Sequence, residues 1–175
     1  MILKGICTLS LAAFSAMAYG QASASGDPVP PELKPPKAAK LILHAHATGD
    51  QVYTCKQDGA QSSWTLKAPD AQLFDATGKA IGHHFAGPTW KLEDGSAVTG
   101  KVAARYDPPD KDSIPWLLLT VVEHSGNGPL SNVTYIQRLN TKGGKAPAAG
   151  CDSSHVGEEV RVPYSADYFF FASQR

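Results

Sequence analysis

Beyond about residue 39, no stretch of this chain keeps its apolar residues at the 3.6-residue period of a helix. Apolar and polar residues alternate instead in short runs cut apart by Gly, Pro, Asn and Asp. Alternation of this kind sends successive side chains to opposite faces of a strand. It predicts strands over 40–45, 51–56, 63–67, 72–75, 80–85, 89–92 and 97–105, then over 132–139, 159–162 and 168–171. Residues 116–122 are apolar almost without interruption, as in a strand covered on both faces, and the branched Thr120-Val121-Val122 end argues against a buried helix. Short strands at regular spacing, joined by Gly/Pro turns, predict an all-β, single-domain antiparallel β-sandwich or barrel with little helix.

The N-terminus is of another kind. A short basic start, Met1–Lys4, precedes an apolar stretch from Ile6 to Ala18 and two small-residue motifs, Ala16-Met17-Ala18 and Ala22-Ser23-Ala24. This is the layout of a secretory signal peptide, expected over residues 1–24. The apolar stretch is short for a membrane-spanning helix, and no second one follows, so no span is expected after cleavage. Residues 25–38 hold five prolines and should form an extended arm, with Val29 and Leu33 as possible anchors on the β domain at 39–175. Of three cysteines, Cys7 leaves with the signal. Cys55 and Cys151 remain, an even count that reads as a disulfide in an exported protein, secreted or periplasmic. The 16 basic and 16 acidic residues balance, with no charged run, which argues against nucleic acid as a partner.

Several segments together resemble one family. They are Gln51-Val52-Tyr53-Thr54-Cys55, Trp64 with Pro69-Asp70-Ala71, and the run from Gly82 through His83-His84 and Gly87-Pro88 to Trp90. Asp94-Gly95-Ser96, Ile114-Pro115-Trp116, Tyr135-Ile136-Gln137-Arg138, Thr141-Lys142-Gly143-Gly144, Cys151 and Val162-Pro163-Tyr164 complete the set. In this combination, over roughly residues 30 to 172, the chain resembles DUF3455, a family of exported bacterial and fungal domains. The resemblance implies export and assigns no activity.

The candidate site is centred on the 82–90 run. His83 and His84 are adjacent, so a strand turns them to opposite faces. Trp90 follows the Gly87-Pro88 turn, and an indole on a β face can stack on a sugar ring or a small apolar ligand. Arg138, on an alternating strand, could bind a carboxylate, though pairing with a structural Asp or Glu is the favoured reading, and Tyr164 is a further candidate. The expected role is a binding or structural module for a small molecule or glycan. The competing class is an enzyme, metal-dependent or hydrolytic. His44 and His46 share a strand face, and with His84 they would offer three nitrogens to zinc or copper. Glu93, Asp94, Asp107, Asp110, Asp112 and Glu123 supply carboxylates, though mostly in turns, where Asp serves the local backbone. Neither a Gly-x-Ser-x-Gly elbow nor a Gly-x-Gly-x-x-Gly cradle is present, so a serine hydrolase is disfavoured and no nucleotide cofactor is expected.

Overall fold

The computed structural model describes residues 28–173; the expected signal peptide lies outside them. The chain forms eight strands: β1 (Ala39–Asp58), β2 (Gln61–Phe74), β3 (Ala80–Phe85), β4 (Thr89–Leu92), β5 (Ala97–Tyr106), β6 (Trp116–Ser125), β7 (Tyr135–Gly143) and β8 (Glu159–Ser173). Each strand pairs antiparallel with the next, and β8 returns to pair with β1, closing an eight-stranded barrel. Of the two expected architectures, the barrel is the one formed. Helix is confined to two 3-10 turns, Pro31–Leu33 and Pro129–Asn132.

Three strands each join two of the expected segments. The expected strands at 40–45 and 51–56 are one strand, β1, running straight through Thr48-Gly49-Asp50. Gly49 reads as punctuation, yet its role is close packing: a Cβ there would stand within 2.2 Å of the Asp70 carbonyl on β2. The segments at 63–67 and 72–75 likewise merge into β2 through Pro69, and those at 159–162 and 168–171 into β8 through Pro163.

Alternation sorts the side chains. Ala45, Ala47, Leu73, Trp90, Leu119, Ile136, Ala166, Tyr168 and Phe170 fill the interior, all of them buried. The apolar run of β6 is covered on both faces, as its composition demands. Leu117, Leu119 and Val121 face the interior. Trp116 and Leu118 face outward and, with Leu139, are covered by Val29 and Leu33 of the proline-rich arm. Leu33 is fully buried there, and its carbonyl accepts a hydrogen bond from Gln137 Nε2 at 2.5 Å. Burial of one leucine contributes roughly 2 kcal/mol.

Cys55 and Cys151 are joined in a disulfide across 96 residues. The bridge fixes the long β7–β8 loop over β1 and β2. Cys55 N–H donates to the Glu158 carbonyl, Gly157 N–H to the Cys55 carbonyl, and Trp64 Nε1 to the Ala149 carbonyl at 2.9 Å.

Candidate functional site

The strands differ greatly in length, and this shapes the site. β3 has six residues and β4 four, while their neighbours β2 and β5 have fourteen and ten. β2 pairs with β3 only from Ala71 onward, and β5 pairs with β4 only over Ala97–Thr99. Earlier residues of β2 and later residues of β5 therefore have no strand between them. The wall has a window there, bounded by Leu66–Pro69 on β2, Val102 on β5, and the Gly87-Pro88 tip of the β3–β4 hairpin. A cavity of about 310 Å³ opens behind it, lined also by Gln51, His84, Trp90, Leu117, Leu119, Arg138 and Tyr168. Leu66 and Val102 are half exposed at its rim.

The local sequence explains the arrangement. On β3 the alternation turns His83 out, 58% exposed and 4.0 Å from Glu93, and turns His84 in, 2% exposed. Across the hairpin His84 is opposite Trp90, and the two rings stack at 4.2 Å. Tyr168 meets both rings edge-on. Gly100 makes room for the indole, because a Cβ there would stand 3.1 Å from the Trp90 ring. Arg138 points inward from β7, and its Nε donates to the Pro115 carbonyl at 3.0 Å.

Electrostatics fix the protonation states. Burial holds the His84 pKa down at about 3, with the Arg138 charge adding to the effect and the Thr89 bond opposing it. His84 is thus neutral at physiological pH. Its Nδ1 donates to the Thr89 carbonyl at 2.9 Å, which leaves Nε2 as a lone-pair acceptor. Burial pushes the Tyr164 and Tyr168 hydroxyls well above the ordinary phenol range, so both stay protonated. These two stand close enough to influence each other, yet neither hydroxyl completes a hydrogen bond of normal geometry. Gln51 Nε2 and Trp90 Nε1 are buried with no partner among the described residues. An unmet buried donor costs about 1–3 kcal/mol, so three such groups lining one cavity, on Gln51, Trp90 and Tyr168, need an explanation.

Of the residues expected from sequence, His84, Trp90 and Arg138 come together at this cavity, with Tyr164 beside Tyr168 in the same core. His83 does not join them. His44 and His46 do share a face, but it is the outer one. His44 stacks on Phe169 at 4.4 Å, and both histidines reach Asp167, at 3.5 and 3.0 Å. Burial opposes ionisation of Asp167, but hydrogen bonds from His44, Asn140 and His46 outweigh it and hold the carboxyl at about 2. The set His44, His46 and His84 therefore does not converge, because period-two alternation puts the first two outside the barrel and the third inside. No group of three or more His, Cys, Asp or Glu among the described residues is arranged to hold a metal ion.

Of the candidate carboxylates two serve turns, while Asp107 pairs with Arg105 and Glu123 lies within β6. Asp94 accepts from the Ser96 N–H and hydroxyl, and Asp110 from Asp112 N–H and the Ser113 hydroxyl. Asp152, Ser154 and His155 lie within reach of one another, but Ser154 Oγ and Asp152 Oδ1 both approach the same ring nitrogen, Nδ1. A catalytic relay needs them on opposite nitrogens. Gln51 and Tyr168 were not singled out from sequence. Parity was the available signal: Gln51 is in step with Ala45 and Ala47, and Tyr168 with Phe170.

Fold and site define a closed antiparallel barrel with a lateral window onto an interior cavity ringed by unmatched donors. The chain belongs to the family described as protein of unknown function (DUF3455), which it matches over residues 35–172. No curated protein and no solved structure matches it.

Proposed function

We propose that this protein is an exported binding module that takes a small, largely apolar molecule into the barrel through the window between β2 and β5. The observation that carries this reading is the cavity itself. Its walls are apolar, it is of ligand size, and a few polar groups with unmet hydrogen bonds converge on it. Export is supported by the disulfide and by the signal-like sequence at 1–24. The outer faces of the strands carry ion pairs such as Lys67–Glu159 and Arg161 with Asp50 and Asp70, as a water-facing surface does.

A neutral probe tests the reading without presuming a charge. N-phenyl-1-naphthylamine should bind the full mature chain at one site with a rise in fluorescence. Ala68→Trp, placed at the window, should abolish that rise while keeping the melting temperature. An equal response from the variant would remove the cavity as the site of this probe, and no response from the wild type to it or to the acids and alcohols named below would remove the cavity as a binding site.

A further inference from the structure

We infer that the cavity is selective for a compact apolar monocarboxylate, whose carboxylate is received by Arg138 and whose hydrocarbon body lies against Trp90, Leu117 and Leu119. This inference rests on the binding reading above and adds the chemical class of the ligand.

The first argument is charge. Arg138 enters the interior of a barrel whose walls are apolar, and no carboxylate among the described residues pairs with it. Its Nε donates to the Pro115 carbonyl, and the neutral Tyr168 hydroxyl stands beside the guanidinium, so neither contact gives the terminal amino groups a counter-charge. Those groups form the fork that receives a carboxylate through two parallel bonds. A partly buried cation without a counter-charge is costly, and an anionic ligand head removes that cost.

The second argument is the donor inventory. Trp90 Nε1 and Gln51 Nε2 are N–H groups, each on a side chain no more than 2% exposed, and both residues line the cavity without a partner for that nitrogen. Together with the guanidinium they recognise an acceptor-rich head. A ligand with an ammonium head would face a like charge and unmatched donors. His84 adds no second positive charge, because burial keeps it neutral.

The third argument is size. At about 310 Å³ the cavity is roughly twice the 150 Å³ void that holds benzene in an engineered protein, which sets a ligand of about a dozen heavy atoms.

The test uses matched probes, each compared by calorimetry at neutral pH on the full mature chain. One pair is rigid, 2-naphthoate and 2-naphthalenemethanol, and one is flexible, decanoate and 1-decanol. The expected result is at least a tenfold preference for the carboxylate in one pair. That preference should vanish in Arg138→Met and persist in weakened form in Arg138→Lys, which keeps the charge and guards against a folding defect. Equal affinity for acid and alcohol, or a preference that survives in Arg138→Met, overturns the carboxylate assignment while leaving a cavity that binds apolar molecules. Absence of binding by all four probes together with N-phenyl-1-naphthylamine overturns both readings.

Discussion

The barrel has two unlike sides. On one, β8, β1 and β2 form a wall in which β1 pairs along most of its 20 residues with both neighbours. The wall is laced outside by Arg161, which bridges Asp50 and Asp70, and is bolted to the β7–β8 loop by the disulfide. On the other side the β3–β4 hairpin is too short to span the gap between β2 and β5, and the cavity opens there. The wall is paired along both edges of β1, whereas on the window side the margins of β2 and β5 lack a strand neighbour and open onto the cavity. Length of strand, set by where the turns fall, thus separates the braced wall from the side that carries the window.

The sharpest way to break this contrast is to weaken the wall. Replacing Cys55 and Cys151 by serine opens a loop of about a hundred residues, for which the chain-entropy argument gives up to ~4.7 kcal/mol. A loss of about 4 kcal/mol in denaturant unfolding is expected, and a loss under 1 kcal/mol would show that the wall does not depend on its bolt.

The next effect belongs to the window side. The folded-state pKa of His84 is depressed to about 3, so the unfolded chain binds the proton first as pH falls. Stability is therefore full above about pH 6.5 and is lost as pH drops toward 3. Between pH 7 and pH 5 the loss should be about 2 kcal/mol, and His84→Gln should flatten the slope in that interval. An unchanged slope would place the acid sensitivity elsewhere. Asp167, held at about 2, contributes only at more acid pH, between its unfolded value near 3.8 and 2.

The smallest effect is expected on the outside of the wall. Arg161→Ala removes two exposed ion pairs, and exposed pairs contribute little and are screened by salt. The melting temperature should move barely beyond measurement error, and less still in molar salt. A large shift would mean that the surface network carries the wall.

Much of this was legible in the sequence, and the reasons are specific. Trp116–Val122 could be read as doubly covered because a strand with one wet face would alternate. The opposite orientations of His83 and His84, and the shared face of His44 and His46, follow from the period of two. Closure of the barrel was not legible, since a sandwich has the same alternation. The continuity of β1 and β8 was hidden by Gly49 and Pro163, which look like turns but sit within ladders. The cavity could be guessed only from its residue types. His84, Trp90 and Arg138 stand out as chemistry, while Gln51 passes as an ordinary polar residue until its register turns it inward.

The missing neighbours along β2 and β5 have a further consequence. A stretch of strand with free backbone groups on one side is an invitation to another strand, and so to aggregation. The two margins of the window are poor hosts for one. On β2, Lys67 is charged and Pro69 has no N–H to offer; on β5, Lys101 and Arg105 repeat the charge. The gap in this closed barrel therefore leaves room for a small molecule while offering a second polypeptide little to pair with.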